Sequence, residues 1–136
     1  REFNVYVDVK AAQFVVAEWP TPILFSGFEI GSQVLTGKKL AESGIQGNPI
    51  VDAYTMCLQQ DNPAGRESWD QTAVLAAVRG ASCYFDVERG TMVVNDDGSN
   101  SWQKNPDGQH GYLVFKMPVE QVTAEIETLM MHPPER

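Results

Sequence analysis

Basic residues are scarce in this sequence of 136 residues, which has 10 Lys and Arg against 18 Asp and Glu and a net charge of −8. Proteins that bind the nucleic-acid backbone use Lys and Arg to neutralise phosphates, so this balance argues against a nucleic-acid partner. Long apolar runs are also lacking, and none approaches the roughly 18 residues of a membrane-spanning helix. The apolar fraction of 43% is ordinary for a folded chain. The length therefore predicts a single domain over residues 1–136.

Cysteine and histidine occur twice each. Neither Cys57 nor Cys83 belongs to a Cys-x-x-Cys pair or a Cys/His cluster, so no zinc or redox motif is indicated. Cys57 lies on the apolar side of a predicted helix, where a buried free thiol is expected, with a disulfide as the open alternative. His110 and His132 lie in turn-like or proline-flanked segments and are expected at the surface.

Four helices are predicted from capping residues and apolar spacing. Asp8 is expected to cap a largely buried helix over 9–19, and Asp70 a buried helix over 71–79. Asn48 followed by Pro49 begins a helix whose predicted core-facing side chains recur at helical spacing: Ile50, Ala53, Tyr54, Cys57 and Leu58. The last helix begins at Pro118 and ends at Pro133-Pro134, with one apolar face formed by Val119, Val122, Ile126, Leu129 and Met130.

Short extended runs are predicted between these helices. Residues 3–7 indicate a strand, and the continuous apolar run 23–25 a central parallel strand buried on both faces, with Glu29 at its carboxyl end. Residues 32–47 indicate a loop with one or two helical turns. After residue 80, strands are predicted at 84–88, 91–95, 100–104 and 112–116, joined by turns at 89–90, 96–98 and 106–108. The predicted fold class is α/β: an open mixed sheet flanked by helices, with a C-terminal antiparallel hairpin region.

Two short motifs resemble one enzyme family. Glu2-Phe3-Asn4, followed by Asp8 before an Ala-rich helix, is similar to the substrate-binding segment of the inosine-uridine-preferring nucleoside hydrolases. Trp69-Asp70 then falls where that family has a metal-binding aspartate at the start of a helix. The resemblance runs along most of residues 2–80 and more loosely to the C-terminal helix. It covers only the C-terminal half of the family's chain.

The resemblance implies a Ca²⁺-dependent enzyme that hydrolyses the N-glycosidic bond of a ribonucleoside through an oxocarbenium-like sugar. Glu2 and Asn4 would bind ribose hydroxyls, Phe3 would line the base pocket and Asp70 would be a Ca²⁺ ligand. Many family members have a histidine at position 69 that protonates the leaving base. Trp69 cannot donate that proton, but it can stack on the base. The group that protonates the leaving base is therefore not identified.

The Asp-rich motif that supplies most Ca²⁺ ligands in the family is absent from this sequence. Arg1 stands directly before the first family-like motif, so the chain is expected to be the C-terminal fragment of a larger protein, inactive by itself. The expected partners are the N-terminal half or a second copy of the chain. A cytoplasmic location is assumed, because the part of the protein in which a leader sequence would lie is expected to precede Arg1.

Two alternative functions remain open from the sequence. The chain could be a non-catalytic binding or scaffold protein that keeps the fold, which Trp69 in place of a proton donor favours. It could also be another glycosidase, which uses two carboxylates without a metal and would be insensitive to a chelator.

Overall fold

A computed structural model describes residues 1–132 and shows a mixed α/β fold. In these residues the α-helices are α1 (Phe3–Val7), α2 (Val9–Glu18), α3 (Phe28–Gly31), α4 (Lys38–Ala41), α5 (Pro49–Gln60), α6 (Trp69–Arg79) and α7 (Val119–Met130). The strands are β1 (Leu24–Phe25), β2 (Leu35–Thr36), β3 (Arg66–Glu67), β4 (Phe85–Val94), β5 (Asn100–Lys104) and β6 (His110–Phe115). A short 3₁₀ helix, Ala81–Cys83, precedes β4.

Four of the strands form one mixed sheet in the order β1-β6-β4-β5. β1 is parallel to β6, with Leu24 opposite Gly111, whereas β4 is antiparallel to both β6 and β5. The predicted mixed sheet with flanking helices is therefore confirmed, and its antiparallel part is the C-terminal hairpin region. The predicted turns at 96–98 and 106–108 are also present, since Gly98 and Gly108 each donate a backbone hydrogen bond to the residue three positions earlier.

β4 is one continuous strand of ten residues, so the predicted turn at 89–90 is wrong. Gly90 pairs with His110 on one side and Lys104 on the other. A Cβ at position 90 would lie 2.5 Å from the ring of Trp102. Glycine is needed here because the Trp102 side chain crosses the strand at this position. The sequence alone does not show whether a glycine makes room for a side chain or forms a turn.

β1 is a two-residue strand at the edge of the sheet rather than the predicted central strand. Within residues 1–132 it pairs only with β6. As a result, Leu24 is 42% exposed. A continuous apolar run indicates a strand that is buried on both faces, but it does not show whether the strand pairs on one side or on both.

The first five-residue segment, 3–7, is helical, so the predicted strand there is wrong. Glu2 causes the difference, because its carboxylate accepts from the N–H groups of Asn4 and Val5 and thereby caps a helical turn. Asp8 caps α2 as predicted, through the N–H of Ala11. The predicted burial of α2 is wrong, since none of its residues is buried.

α5 begins at the predicted cap, where Asn48 accepts from the N–H of Ile50. The predicted core-facing side is confirmed in part, since Tyr54 and Cys57 are half-buried, whereas Ala53 is exposed. Val51 and Leu58 are buried, whereas Ile50 is 55% exposed. The predicted helical turn within 32–47 corresponds to α4, but the pairing of β2 with β3 was not predicted, since two-residue strands carry no readable pattern.

The hydrophobic core lies between the sheet and the helices α6 and α7. Phe85 and Leu113 contribute from the sheet, and Val122 and Ile126 from α7. Burying each of these side chains contributes about 2 kcal/mol. α7 begins after Pro118 as predicted, whereas its predicted end at 133–134 lies outside the described residues. The longest helices in residues 1–132 have 12 residues, and none of the helices there is long and apolar enough to cross a membrane.

His110 is 2% exposed, so its predicted surface position is wrong. Its Nδ1 accepts a 3.0 Å hydrogen bond from the N–H of Met92, and its Nε2 lies 3.1 Å from the carbonyl of Val16. The ring therefore has its proton on Nε2 and joins α2 to the sheet. His132 is exposed, as expected. Cys57 and Cys83 are both free thiols.

Candidate functional site at the start of helix α6

Helix α6 begins two residues earlier than predicted. Ser68 is its N-cap and Trp69 its first residue, so Asp70 lies in the first turn and is not the cap. The position of Ser68 is fixed because its N–H donates to the carbonyl of Gly31 at 3.0 Å. Its own carbonyl accepts from the N–H of Thr72 at 3.2 Å, which closes the first turn of the helix.

The carboxylate of Asp70 is exposed and has no hydrogen bond or ion pair with any other residue in 1–132. The dipole of an eleven-residue helix favours a negative charge in its first turn. Both carboxylate oxygens therefore remain available to a ligand. Oxygen donors of this kind suit a hard cation such as Ca²⁺.

Trp69 is held against Phe28 by two contacts. The indole Nε1 donates a 3.0 Å hydrogen bond to the carbonyl of Phe28, and the ring centroids are 5.5 Å apart at an interplanar angle of 32°. The guanidinium of Arg66 lies 5.9 Å from the centre of the Trp69 ring. Phe28 is 69% exposed and Trp69 is half-buried, so this aromatic pair is partly open to solvent, and Asp70 follows Trp69 in sequence.

The aromatic pair lies just beyond the carboxyl end of β1, where ligands bind in open α/β sheets. Glu29 follows Phe28 at this edge, and its carboxylate accepts a hydrogen bond from the hydroxyl of Tyr112. Burial and this bond raise the pKa of Tyr112 above its usual value. The Tyr112 hydroxyl therefore stays protonated and holds Glu29 in place.

Glu2 and Asn4 contact each other directly. One oxygen of Glu2 accepts from the backbone and side-chain nitrogens of Asn4 at 3.1 and 3.0 Å, and the other accepts from the N–H of Val5 at 2.8 Å. Phe3 between them is 73% exposed. A helical turn, and not an extended strand, thus places these two polar groups next to each other.

The structure does not bring the two motifs together. In α1, Tyr6 packs against Gly98 in the turn that follows β4. Phe28 follows Gly27, which lies against Tyr112, and Tyr112 pairs with Glu88 in β4. From residue 88 to the end of β4 at residue 94 the strand extends roughly 20 Å. Glu2–Asn4 and Trp69–Asp70 therefore lie near opposite ends of the sheet.

Residues 1–132 do not contain three or more His, Cys, Asp or Glu side chains grouped so that they could hold a metal ion. Calcium takes six to eight oxygen ligands. Asp70 fits as one of them because its carboxylate is exposed and unpaired. A calcium ion bound here would need several further oxygen ligands besides Asp70.

Two shallow clefts are also present. One of about 450 Å³ lies along β4 and includes Asp86, Glu88 and Lys104. The other, of about 260 Å³, lies between α4 and α7 and includes Lys39 and Glu127. Neither contains any of the predicted site residues.

Sequence reasoning missed Phe28 and a set of buried hydroxyl groups behind Trp69. Phe28 lies in the segment that was predicted to follow a strand at its carboxyl end, where only Glu29 was singled out. The hydroxyl groups belong to Ser26, Thr36, Ser68 and Thr72, which are up to 46 positions apart and form no motif. Only the folded arrangement brings them together.

Comparisons of the chain with protein-family models, with curated proteins and with solved structures found no match.

Proposed function

We propose that this chain forms part of a Ca²⁺-dependent nucleoside N-ribohydrolase, which cleaves the N-glycosidic bond of a ribonucleoside to give ribose and the free base. The observation that carries the proposal is the free carboxylate of Asp70 in the first turn of α6. It follows the aromatic pair Phe28–Trp69 at the carboxyl end of β1. The resemblance of the Glu2–Asn4 and Trp69–Asp70 motifs to the nucleoside hydrolases supports the same function.

Each residue has a defined role in this proposal. A bound Ca²⁺ would orient the attacking water and lower its pKa. Asp70 supplies one carboxylate ligand, while Glu2 and Asn4 hydrogen-bond to the ribose hydroxyls. Trp69 stacks on the base and excludes water from it, with Phe3 lining the base pocket. Because Asp70 is one ligand only, residues 1–136 alone are expected to be inactive.

The proposal requires a rearrangement of α1, because Glu2–Asn4 and Trp69–Asp70 lie near opposite ends of the sheet and one nucleoside cannot contact both motifs in this arrangement. α1 would have to leave the Gly98 turn and move by roughly 20 Å, the length of β4 between the two motifs. In its helical turn, the carboxylate of Glu2 is occupied by Asn4 and Val5. A five-residue helix is marginal by itself, because helix nucleation is costly. All its residues are exposed or half-buried. The ribose hydroxyls can therefore compete for Glu2 and Asn4 at the expense of a few exposed hydrogen bonds, each contributing about 1 kcal/mol.

The test is the release of ribose from inosine, adenosine, uridine and cytidine by the intact protein that contains this chain. Chelation of Ca²⁺ should abolish release, and restoring the metal should recover it. Asp70→Ala should abolish release as well. Asp52→Ala is the matched control, since Asp52 is also an exposed aspartate in the first turn of a helix; it should leave the rate unchanged.

The same assay separates the two other functions. A non-catalytic binding protein would release no ribose from any of the nucleosides. This alternative is favoured by the Trp69 indole N–H, which is already bonded to the carbonyl of Phe28. A glycosidase that uses two carboxylates without a metal would keep its rate in the presence of the chelator. Either result would contradict the proposed hydrolase.

A further inference from the structure

Four hydroxyl side chains meet behind the first turn of α6; we call them the hydroxyl cluster: Ser26, Thr36, Ser68 and Thr72. Three of them, Thr36, Ser68 and Thr72, are 0% exposed. The hydroxyl oxygens of Thr36 and Ser68 are 2.7 Å apart, and those of Ser26 and Thr72 are 2.9 Å apart. The cluster joins the end of β1, strand β2 and helix α6.

The neighbouring backbone carbonyls determine which hydroxyl donates in each pair of the cluster, because a carbonyl can only accept. The hydroxyl of Ser68 donates to the carbonyl of Arg66 at 3.2 Å, so the hydroxyl of Thr36 donates to Ser68. The hydroxyl of Thr72 donates to the carbonyls of Ser68 and Trp69, at 3.0 and 2.9 Å, so that of Ser26 donates to Thr72. Every hydroxyl hydrogen of the cluster thus has an acceptor.

Ser68, the N-cap residue of α6, does not cap the helix with its side chain. A serine at an N-cap ordinarily accepts a hydrogen bond from the second or third N–H of the helix. Ser68 makes no such side-chain bond, because its hydroxyl is directed to Thr36. The start of α6 is therefore attached to β2, 32 positions earlier, instead of being capped locally.

From this arrangement we infer that Ser68 and Thr72 are positioning residues, which fix the first turn of α6 and with it the directions of Trp69 and Asp70. Packing of the core does not require hydroxyl groups at these positions, because a valine, which has nearly the same shape as threonine, would fill the same space. Buried hydroxyl groups add direction, because each bond restrains the rotation and the sliding of α6 against β1 and β2. The consequence for Asp70 as a metal ligand rests on the proposed function.

Thr72→Val tests the inference, because it removes both the donor to the first turn and the acceptor of Ser26 with little change in volume. Amide hydrogen exchange of the intact protein reports opening of the first turn directly. We expect exchange at residues 72–75, whose amides are the first to be hydrogen-bonded within α6, to become about tenfold faster, which corresponds to the loss of a buried hydrogen bond. Thr72→Ser keeps the hydroxyl and should restore slow exchange.

Thr55→Val is the matched control. Thr55 also donates its hydroxyl to the carbonyl four residues earlier in its own helix, that of Val51, but among residues 1–132 it has no hydroxyl partner on another element. This variant should leave exchange at residues 72–75 unchanged. Equal exchange rates in Thr72→Val and the unmodified protein, or equal effects of Thr72→Val and Thr55→Val, would overturn the inference.

Calcium affinity gives a second and separate readout. If the cluster orients Asp70, Thr72→Val should weaken Ca²⁺ binding by the intact protein several-fold, and Thr72→Ser should not. Faster exchange with unchanged Ca²⁺ affinity would overturn the connection to Asp70. An unmodified protein that neither binds Ca²⁺ nor releases ribose would instead contradict the proposed function, while the exchange data would still decide whether the cluster holds α6.

Discussion

The carboxylate of Glu127 on α7 accepts a 2.7 Å hydrogen bond from the backbone N–H of Gly37, 90 positions earlier in the chain. Gly37 has a left-handed φ of 94°, and a Cβ there would lie 2.0 Å from the ring of Tyr54. The second carboxylate oxygen of Glu127 is 3.8 Å from the Lys39 ammonium. One buried side chain therefore joins the last helix to the segment that begins α4.

Glu127→Ala should lower the free energy of unfolding by about 1–3 kcal/mol, because it leaves the buried N–H of Gly37 without an acceptor. Glu127→Gln keeps an acceptor oxygen and should cost less. Urea unfolding measures both. Glu120→Ala, an exposed position on the same helix, should change stability by no more than about 0.5 kcal/mol. Equal losses in Glu127→Ala and Glu120→Ala would contradict the importance of the Gly37 bond.

His110→Phe should be destabilising, although phenylalanine is larger and more apolar. The substitution leaves the N–H of Met92 and the carbonyl of Val16 without the partners that the imidazole provides. The expected loss is about 1–3 kcal/mol. His110→Asn, which keeps an acceptor and a donor, should lose less. Thermal or urea unfolding that shows His110→Phe to be as stable as the unmodified protein would contradict this role.

Acid should weaken the hairpin around Glu88. Hydrogen bonds from Lys104 and Trp102 lower the pKa of Glu88 below its ordinary value of 4.5. A lowered pKa in the folded state means that these contacts stabilise the fold above that ordinary value, and that the stabilisation is lost as the pH falls through the lowered pKa. Glu88→Gln should therefore show a shallower loss of stability between neutral pH and about pH 3. A parallel pH dependence in the two proteins would contradict the prediction.

Gly31→Ala should disturb Trp69. A methyl group at position 31 would lie 2.5 Å from the Trp69 Cα, and backbone atoms do not yield easily. The expected cost is about 1–3 kcal/mol, together with a change in Trp69 fluorescence. Gly44→Ala meets no atom within 4 Å and should cost only the roughly 1 kcal/mol of its left-handed backbone. Unchanged tryptophan emission in Gly31→Ala would count against the close packing of Gly31 on Trp69.

Most elements with local determinants could be predicted from the sequence; the helical turn at 3–7, which Glu2 caps locally, is an exception. Asp8 and Asn48 act as helix caps through bonds to residues two or three positions later, and the Gly98 and Gly108 turns also close within three residues. Elements set by distant partners were missed or misassigned. β2 and β3 exist only as a pair, Gly90 is required by Trp102, and the burial of His110 depends on α2.

In the candidate site, too, local features could be predicted from the sequence and long-range contacts could not. Its motif residues could be named from short stretches, but their surroundings depend on long-range contacts. The bond from the Trp69 indole to Phe28 spans 41 positions, and the contact between Ser26 and Thr72 spans 46. The separation of Glu2–Asn4 from Trp69–Asp70 is likewise a property of the sheet, because it depends on the length of the uninterrupted strand β4.

The most direct test of the account is a calcium titration of the intact protein by calorimetry, in parallel with Asp70→Asn and Asp52→Asn. If Asp70 is a calcium ligand, Asp70→Asn should weaken Ca²⁺ binding by about tenfold or more, while Asp52→Asn should bind like the unmodified protein. If the intact protein binds no Ca²⁺, or if Asp70→Asn binds it as tightly as Asp52→Asn does, Asp70 is not a metal ligand and the proposed hydrolase is contradicted.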